Sequence, residues 1–114
     1  MIQIWHNPRC SKSRASLELV EKSNLESQVY KYLDTAPSVS EIEDILKKLG
    51  MRARELMRSG EDIYKELKIK DIEDEVKLIE LLSLHPKLIE RPIIIRGDKA
   101  VIGRPIENTI ELLK

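Results

Sequence analysis

Residues 1–14 read MIQIWHNPRCSKSR, and three local patterns in this stretch decide the fold. Ile2 and Ile4 alternate with Gln3, and Trp5 follows, so residues 1–5 are predicted to form a short strand. Residues 6–10, His-Asn-Pro-Arg-Cys, make a tight loop with Pro8 as its breaker. A helix is predicted from about Ser11 to Ser23, with Ala15, Leu17, Leu19 and Val20 as its apolar side chains. Cys10 thereby falls where the loop ends and the helix begins.

Outward from this unit, Val29, Tyr30, Tyr32 and Leu33 mark a second strand over residues 28–33. Ser38, with Glu41 three residues later, forms a capping box before a helix that runs through Leu49. Ile42, Ile45, Leu46 and Leu49 share one face of that helix, and Gly50 closes it. Residues 51–84 read as helix in pieces, with Leu56 and Met57, then Ile63 and Leu67, then Val76, Ile79 and Leu82 as apolar stripes. The last piece stops at His85-Pro86, because proline disfavours helical geometry in the residue before it. Residues 92–96 and 99–102 are apolar runs on either side of Gly97-Asp98, which predicts a β-hairpin. Gly103-Arg104-Pro105 leads into a terminal helix with Ile106, Ile110, Leu112 and Leu113 as its apolar contacts, and Pro105 suits the first helical position.

The predicted order is β-α-β, a helical stretch, then β-β-α. This is an α/β chain with the plan of a thioredoxin-like fold, parallel pair first and antiparallel pair last. A single domain over residues 1–114 is expected, with a helical insertion at about 38–86.

Composition narrows the function classes. Twenty Lys and Arg offset twenty Asp and Glu, so the zero net charge gives no support for general nucleic-acid or anionic-membrane binding. No apolar run approaches the ~20 residues that cross a bilayer, and the N-terminus lacks the apolar core of a secretion signal. A cytoplasmic location is therefore expected, and the lone Cys10 has no partner for an internal disulfide. Cys10, His6 and His85 are too few for a zinc site. No glycine-rich phosphate loop is present, so no bound nucleotide or flavin is expected. The acidic run at residues 71–75 reads as the solvated, dipole-favoured start of a helix. Trp5 and the tyrosines read as core or edge packing.

Cys10 carries the chemistry. A helix N-terminus favours an anion through its open N–H groups and its dipole. Arg9, Lys12 and Arg14 flank the cysteine, and no Asp or Glu precedes Glu18. These conditions lower a thiol pKa below the free value of about 8.5. Ser13 stands where a Cys-x-x-Cys pair would have its second cysteine, and one helical turn can bring its hydroxyl beside the sulfur. The plain alternative is that Cys10 packs as a small apolar residue. A site that binds an oxyanion beside a thiolate needs guanidinium groups to offset both charges, and Arg58, Arg91 and Arg104 are the candidates. Arg91 and Arg104 each precede a proline at an edge of the hairpin, although any single arginine is ordinarily a solvated surface group. Spacing alone does not bring the three together.

His6-Asn7-Pro8-Arg9-Cys10-Ser11-Lys12-Ser13-Arg14 resembles the active-site loop of the ArsC family, the glutaredoxin-linked arsenate reductases. The similarity continues in collinear order through Arg54-Glu55-Leu56-Met57-Arg58, residues 85–93 and Gly103-Arg104-Pro105, and the loop is most similar to the small YfgD-like branch. The resemblance implies a thioredoxin-like fold with a helical insertion. It implies Cys10 as nucleophile, and Arg58, Arg91 and Arg104 as holders of the oxyanion and the covalent intermediate. It implies His6, Asn7, Ser13 and Arg14 as support for the thiolate, and a cis proline at Arg91-Pro92. Arg9, Ser11 and Lys12 depart from the smaller neutral residues of plasmid-type reductases, so the loop here is more basic.

The activity implied is reduction of arsenate to arsenite, through a Cys10–arsenic adduct resolved by glutathione and glutaredoxin, in arsenic detoxification. No bound cofactor is implied, glutathione is a thiol co-substrate, and a monomer is expected. Two other readings stay open: a glutathione-linked thiol-transfer protein, and an Spx-type transcriptional regulator, whose usual Cys-x-x-Cys switch here has Ser13 in the second place. A tyrosine-phosphatase-like reductase is disfavoured, because the arginine it needs six residues after the cysteine is Ser16.

Overall fold

Ile2, Ile4 and Trp5 are buried in β1 (Ile2–Trp5), a strand with neighbours on both sides. The computed structural model describes residues 1–114. The chain divides into two compact units, residues 1–34 with 91–114, and residues 35–90.

The first unit holds a four-stranded sheet in the order β2-β1-β3-β4. β2 (Ser27–Tyr30) runs parallel to β1 and sets Val29 opposite Ile4. A parallel pair needs a crossover, and α1 (Ser11–Lys22) supplies it. β3 (Ile93–Arg96) lies antiparallel on the other side of β1, with Ile94 opposite Ile4. β4 (Lys99–Ile102) completes the hairpin, and Gly97 takes the positive φ of its turn, 64°. Inner strands covered on both faces read as unbroken apolar runs, which is why Ile93, Ile94 and Ile95 are all buried. Ile2, Ile4, Ile94 and Val20 of α1 form a core cluster, and Leu17, Leu112 and Leu113 pack against it. Fully burying one such isoleucine is worth roughly 1.5–3 kcal/mol. Trp5 packs edge-on against Tyr30 at 5.3 Å and stacks on Tyr32 at 6.2 Å between ring centroids. This sheet, with its crossover and terminal helix, is the thioredoxin-like plan expected from the element order.

Two local expectations are corrected. The second strand stops at Tyr30, and Tyr32 is buried from a turn closed by Asp34 N–H donating to Lys31 C=O. The tyrosine stacks on Trp5 from outside the strand. Pro105 is not the first helical residue: α6 (Glu107–Leu113) begins two positions later. The Asn108 side-chain amide donates to the carbonyls of Ile102 and Arg104, which holds residues 103–106 as a separate turn ahead of the helix. The Arg91–Pro92 and Arg104–Pro105 peptide bonds are both cis.

The second unit is helical. α2 (Val39–Leu49) starts with both halves of the Ser38–Glu41 capping box and ends at Gly50 with φ 68°. α3 (Ala53–Leu56), α4 (Asp62–Glu66) and α5 (Glu75–Leu84) follow, and short 3-10 turns cover Ile69–Asp71 and Pro86–Leu88. Ile42 and Ile45 of α2 are buried, as are Leu78 and Leu82 of α5. The acidic run does start a helix, and two of its carboxylates also hold backbone. Asp74 accepts from Val76 N–H, and Glu75 accepts from Ala53 N–H at 2.9 Å. Arg54 binds Tyr64 Oη at 2.7 Å and the carbonyls of Ile69 and Ile72, so it knits this unit together.

Losing a side-chain N-cap costs about 1 kcal/mol. Ser38→Ala is therefore expected to lower the urea midpoint by that amount of stability with an unchanged slope, whereas an unaltered midpoint would mean that the capping box does not stabilise α2.

Candidate active site

Cys10 is the N-cap residue of α1, with extended backbone (φ −96°, ψ 121°) and only 7% of its surface exposed. The preceding loop is fixed by its own hydrogen bonds. Cys10 N–H donates to Asn7 C=O, and Arg9 N–H donates to Asn7 Oδ1, both at 3.0 Å. Arg14 Nη1 reaches back to Pro8 C=O at 3.0 Å. Ser13 is fully buried, and its hydroxyl accepts from Asn7 N–H at 3.0 Å and shares a hydrogen bond of 2.6 Å with His6 Nδ1.

Two arginines from the far end of the chain reach the sulfur. Arg104 donates from Nη2 to Cys10 Sγ at 3.3 Å and from Nε to Arg91 C=O at 2.6 Å. Burial alone would raise the thiol pKa. The backbone N–H groups of Ser13 and Lys12 and the guanidinium group of Arg91 favour the ionised sulfur. Together they outweigh burial and leave the Cys10 pKa below its ordinary value. Arg91 and Arg104 are held by a close approach of backbone. Gly103 N–H donates to Pro92 C=O at 2.9 Å, and a Cβ on Gly103 would stand 2.6 Å from Ser16 Oγ and 2.7 Å from Thr109 Oγ1. Those two buried hydroxyls bond each other at 2.8 Å. Only glycine fits between them and Pro92.

Several expected roles are relocated. Ser13 serves the thiolate through its backbone N–H, because its hydroxyl is taken up by His6 and Asn7. His6 contributes no positive charge: burial first, then Lys31 and Arg14, lower its pKa against a pull from Glu21, which leaves the ring neutral at pH 7. Arg14 braces the loop at Pro8, and the side chains of Arg9 and Lys12 are exposed. The lowered Cys10 pKa expected from the basic flanks is present, but Arg91 and backbone N–H groups cause it, not the side chains of Arg9, Lys12 or Arg14. Ser16, Gly103 and Thr109 were missed as positioning residues. The signal for them was a pair of small polar residues, Ser13 and Ser16, one turn apart on the buried side of α1.

The structure brings Cys10, His6, Asn7, Ser13, Arg91 and Arg104 together in the sheet unit. Arg58 belongs to the helical unit, where Nη1 binds Glu90 at 3.2 Å and Nε lies 3.4 Å from Glu61. No three His, Cys, Asp or Glu side chains come together as a metal site, and no helix is long and apolar enough to cross a membrane.

A thiol pKa lower in the fold than in the unfolded chain means that ionised Cys10 adds stability above the ordinary thiol range. That gain fades as pH falls through the lowered value. The rate of Cys10 alkylation by iodoacetamide is accordingly expected to reach half its plateau at a lower pH than free cysteine. Arg91→Ala should move that midpoint upward. A wild-type profile that coincides with free cysteine would remove the assigned electrostatics.

The sequence matches the ArsC family over residues 5–112. It is 50% identical over 109 residues to the arsenate reductase of Neisseria meningitidis serogroup B, with 94% of this chain and 93% of that protein covered. It is 47% identical over 114 residues to the Escherichia coli protein YfgD, with 98% and 96% covered. The solved structure of an arsenate reductase from Vibrio cholerae superposes with a TM-score of 0.92 at 44% identity, over 96% of this chain and 95% of that one. A match over nearly the whole length, together with a thiol set between two arginines on a thioredoxin-like sheet, places the chain in the ArsC family.

Proposed function

We propose that this protein is an arsenate reductase that works through a covalent Cys10–arsenic adduct. One observation carries the reading: a thiol of lowered pKa with the guanidinium groups of Arg91 and Arg104 at its sulfur. Such a site favours both a nucleophilic sulfur and the negative charge of a tetrahedral oxyanion. The names of the Neisseria and Vibrio relatives supply the oxyanion.

The Cys10 thiolate attacks arsenic, the S–As bond forms, and one arsenate oxygen leaves as water after taking up protons. Arg91 and Arg104 hold the remaining oxygens. Arg58, matched to the family motif, is assigned to the same oxyanion. His6 and Asn7 fix Ser13, whose backbone N–H steadies the sulfur. The lone Cys10 has no internal thiol to resolve the adduct, so an external one enters. Glutathione forms an S–S bond to Cys10, the S–As bond breaks, and its electron pair stays on arsenic, which departs as arsenite with the thiol proton on oxygen. Glutaredoxin then takes the glutathionyl group and returns Cys10 as thiolate. Overall, two thiols become one disulfide and As(V) becomes As(III). The protein acts as a monomer in the cytoplasm, where glutathione is the thiol supply.

Arsenite production from arsenate, with glutathione and glutaredoxin present, is expected from the wild-type protein and is abolished in Cys10→Ser. Arg58→Ala should keep the wild-type circular dichroism and lose roughly 100-fold in kcat/KM, the scale of one oxyanion donor. Arsenate-dependent activity that survives in Cys10→Ser would eliminate the scheme. Efficient removal of glutathione from a glutathionylated peptide, with no arsenite made, would replace arsenate reduction by thiol transfer.

A further inference from the structure

Arg9 and Lys12 stand on either side of Cys10 in the chain, and both side chains are exposed. Neither is engaged in an ion pair. Arg9 joins the hydrogen bonds of the loop only through its backbone N–H, which donates to Asn7 Oδ1. Arg14 turns its guanidinium group to the carbonyl of Pro8, an uncharged partner, and so keeps its charge uncompensated. The first acid in the sequence, Glu18, is already paired with Lys22 at 2.7 Å. Glu107 lines a groove together with Lys12 but stands beyond ion-pair distance from it. Three cations without a counter-charge thus lie within four positions of one thiol.

The side-chain charges of Arg9 and Lys12 are not what lowers the thiol pKa, which the Arg91 charge and backbone N–H groups account for. Both side chains extend into solvent, where water screens their effect on a sulfur that is itself buried. An anion that approaches through the same solvent meets their field directly. The whole chain has zero formal net charge, so it attracts an anion only through a local imbalance of this kind. Consecutive Cα atoms lie about 3.8 Å apart. The chain therefore tethers the two charges on the order of 10 Å from the sulfur, which is about one Debye length at 0.1 M salt. Whatever route a reagent takes to Cys10, its last stretch lies inside their field.

We propose that Arg9 and Lys12 form a cationic rim that selects anionic reagents for Cys10 by raising their rate of encounter with it. The rim acts on an ion still in solution, whereas Arg91 and Arg104 act at the sulfur. It sorts reagents by charge and not by shape, and it favours a multiply charged oxyanion over a singly charged one of the same size. The proposal deepens the arsenate-reductase reading, on which its part in turnover rests, and its electrostatics can be tested without arsenate.

The test is alkylation of Cys10 in the intact protein by iodoacetate and by iodoacetamide. In both reactions the thiolate attacks carbon, an S–C bond forms and iodide leaves, so the two reagents differ chiefly in the carboxylate charge. The ratio of their second-order rates cancels the fraction of thiol that is ionised. Arg91 and Arg104 raise this ratio in every variant, so its change on substitution carries the test. At low salt, about 10 mM, where the Debye length is about 30 Å, Arg9→Gln and Lys12→Gln are each expected to lower the iodoacetate-to-iodoacetamide ratio roughly 2-fold, and the double variant roughly 4-fold. Arg9→Glu should lower it further than Arg9→Gln. At about 0.5 M salt the ratios of all variants should converge on the wild-type value. A double variant equal to wild type at low salt overturns the proposal. So does a loss that persists at high salt, or an equal loss in Arg9→Gln and Arg9→Glu, because either marks a disturbed loop and not a field. In arsenite production, the double variant should lower kcat/KM for arsenate and flatten its dependence on salt. A wild-type protein that makes no arsenite sinks the functional reading alone, because the alkylation ratio still decides the rim.

Discussion

Arg104 donates in two directions, from Nε to the carbonyl of Arg91 and from Nη2 to the sulfur of Cys10. The second bond spans ninety-four positions in sequence. It exists only because β3 lies beside β1 in the sheet, with Ile94 opposite Ile4. Sheet order is thus the first cause of the site's electrostatics. It sets the end of the hairpin segment against the start of α1, where open N–H groups already favour an anion. Arg91 and the backbone N–H groups of Ser13 and Lys12 then favour charge on one atom, to which Arg104 also donates. Their joint effect reverses the penalty that burial places on a charged sulfur.

That reversal needs backbone at short range. Gly103 sits against the Ser16 and Thr109 hydroxyls and against Pro92, at distances where no side chain can be inserted without displacement. The two hydroxyls bond each other, so neither buried oxygen is left without a partner. The same principle governs the loop before α1, where Ser13 answers both His6 and the Asn7 amide. Polar residues near the sulfur mostly hold other polar residues. Few of them touch the sulfur itself, and their value lies in the precision with which they place the ones that do.

The elements were largely legible, because each carried a local signal. Alternation in residues 1–5, the Ser38–Glu41 box, Gly50 and the apolar runs around Gly97 report geometry that a few neighbouring residues determine. Tyr32 misled because an aromatic residue next to a strand is buried equally well by ring stacking as by pairing. Pro105 misled because the turn ahead of α6 is held by Asn108, three residues downstream. At the site, the place of Cys10 at a helix start was readable from its neighbours, and the convergence of Arg91 and Arg104 on it was readable from the family motif. The state of His6 was not, since it depends on burial and on Lys31, both properties of the assembled sheet. The donors to the sulfur were not readable either, because a sequence lists side chains and leaves backbone N–H groups implicit.

The sheet unit is built from two pieces of chain, residues 1–34 and 91–114, with the helical unit encoded between them. Synthesis therefore delivers Cys10 early and the arginines that reach its sulfur late. Until the last segment is made, Cys10 stands without Arg91, whose charge helps to lower its pKa, and without Arg104, which donates to its sulfur.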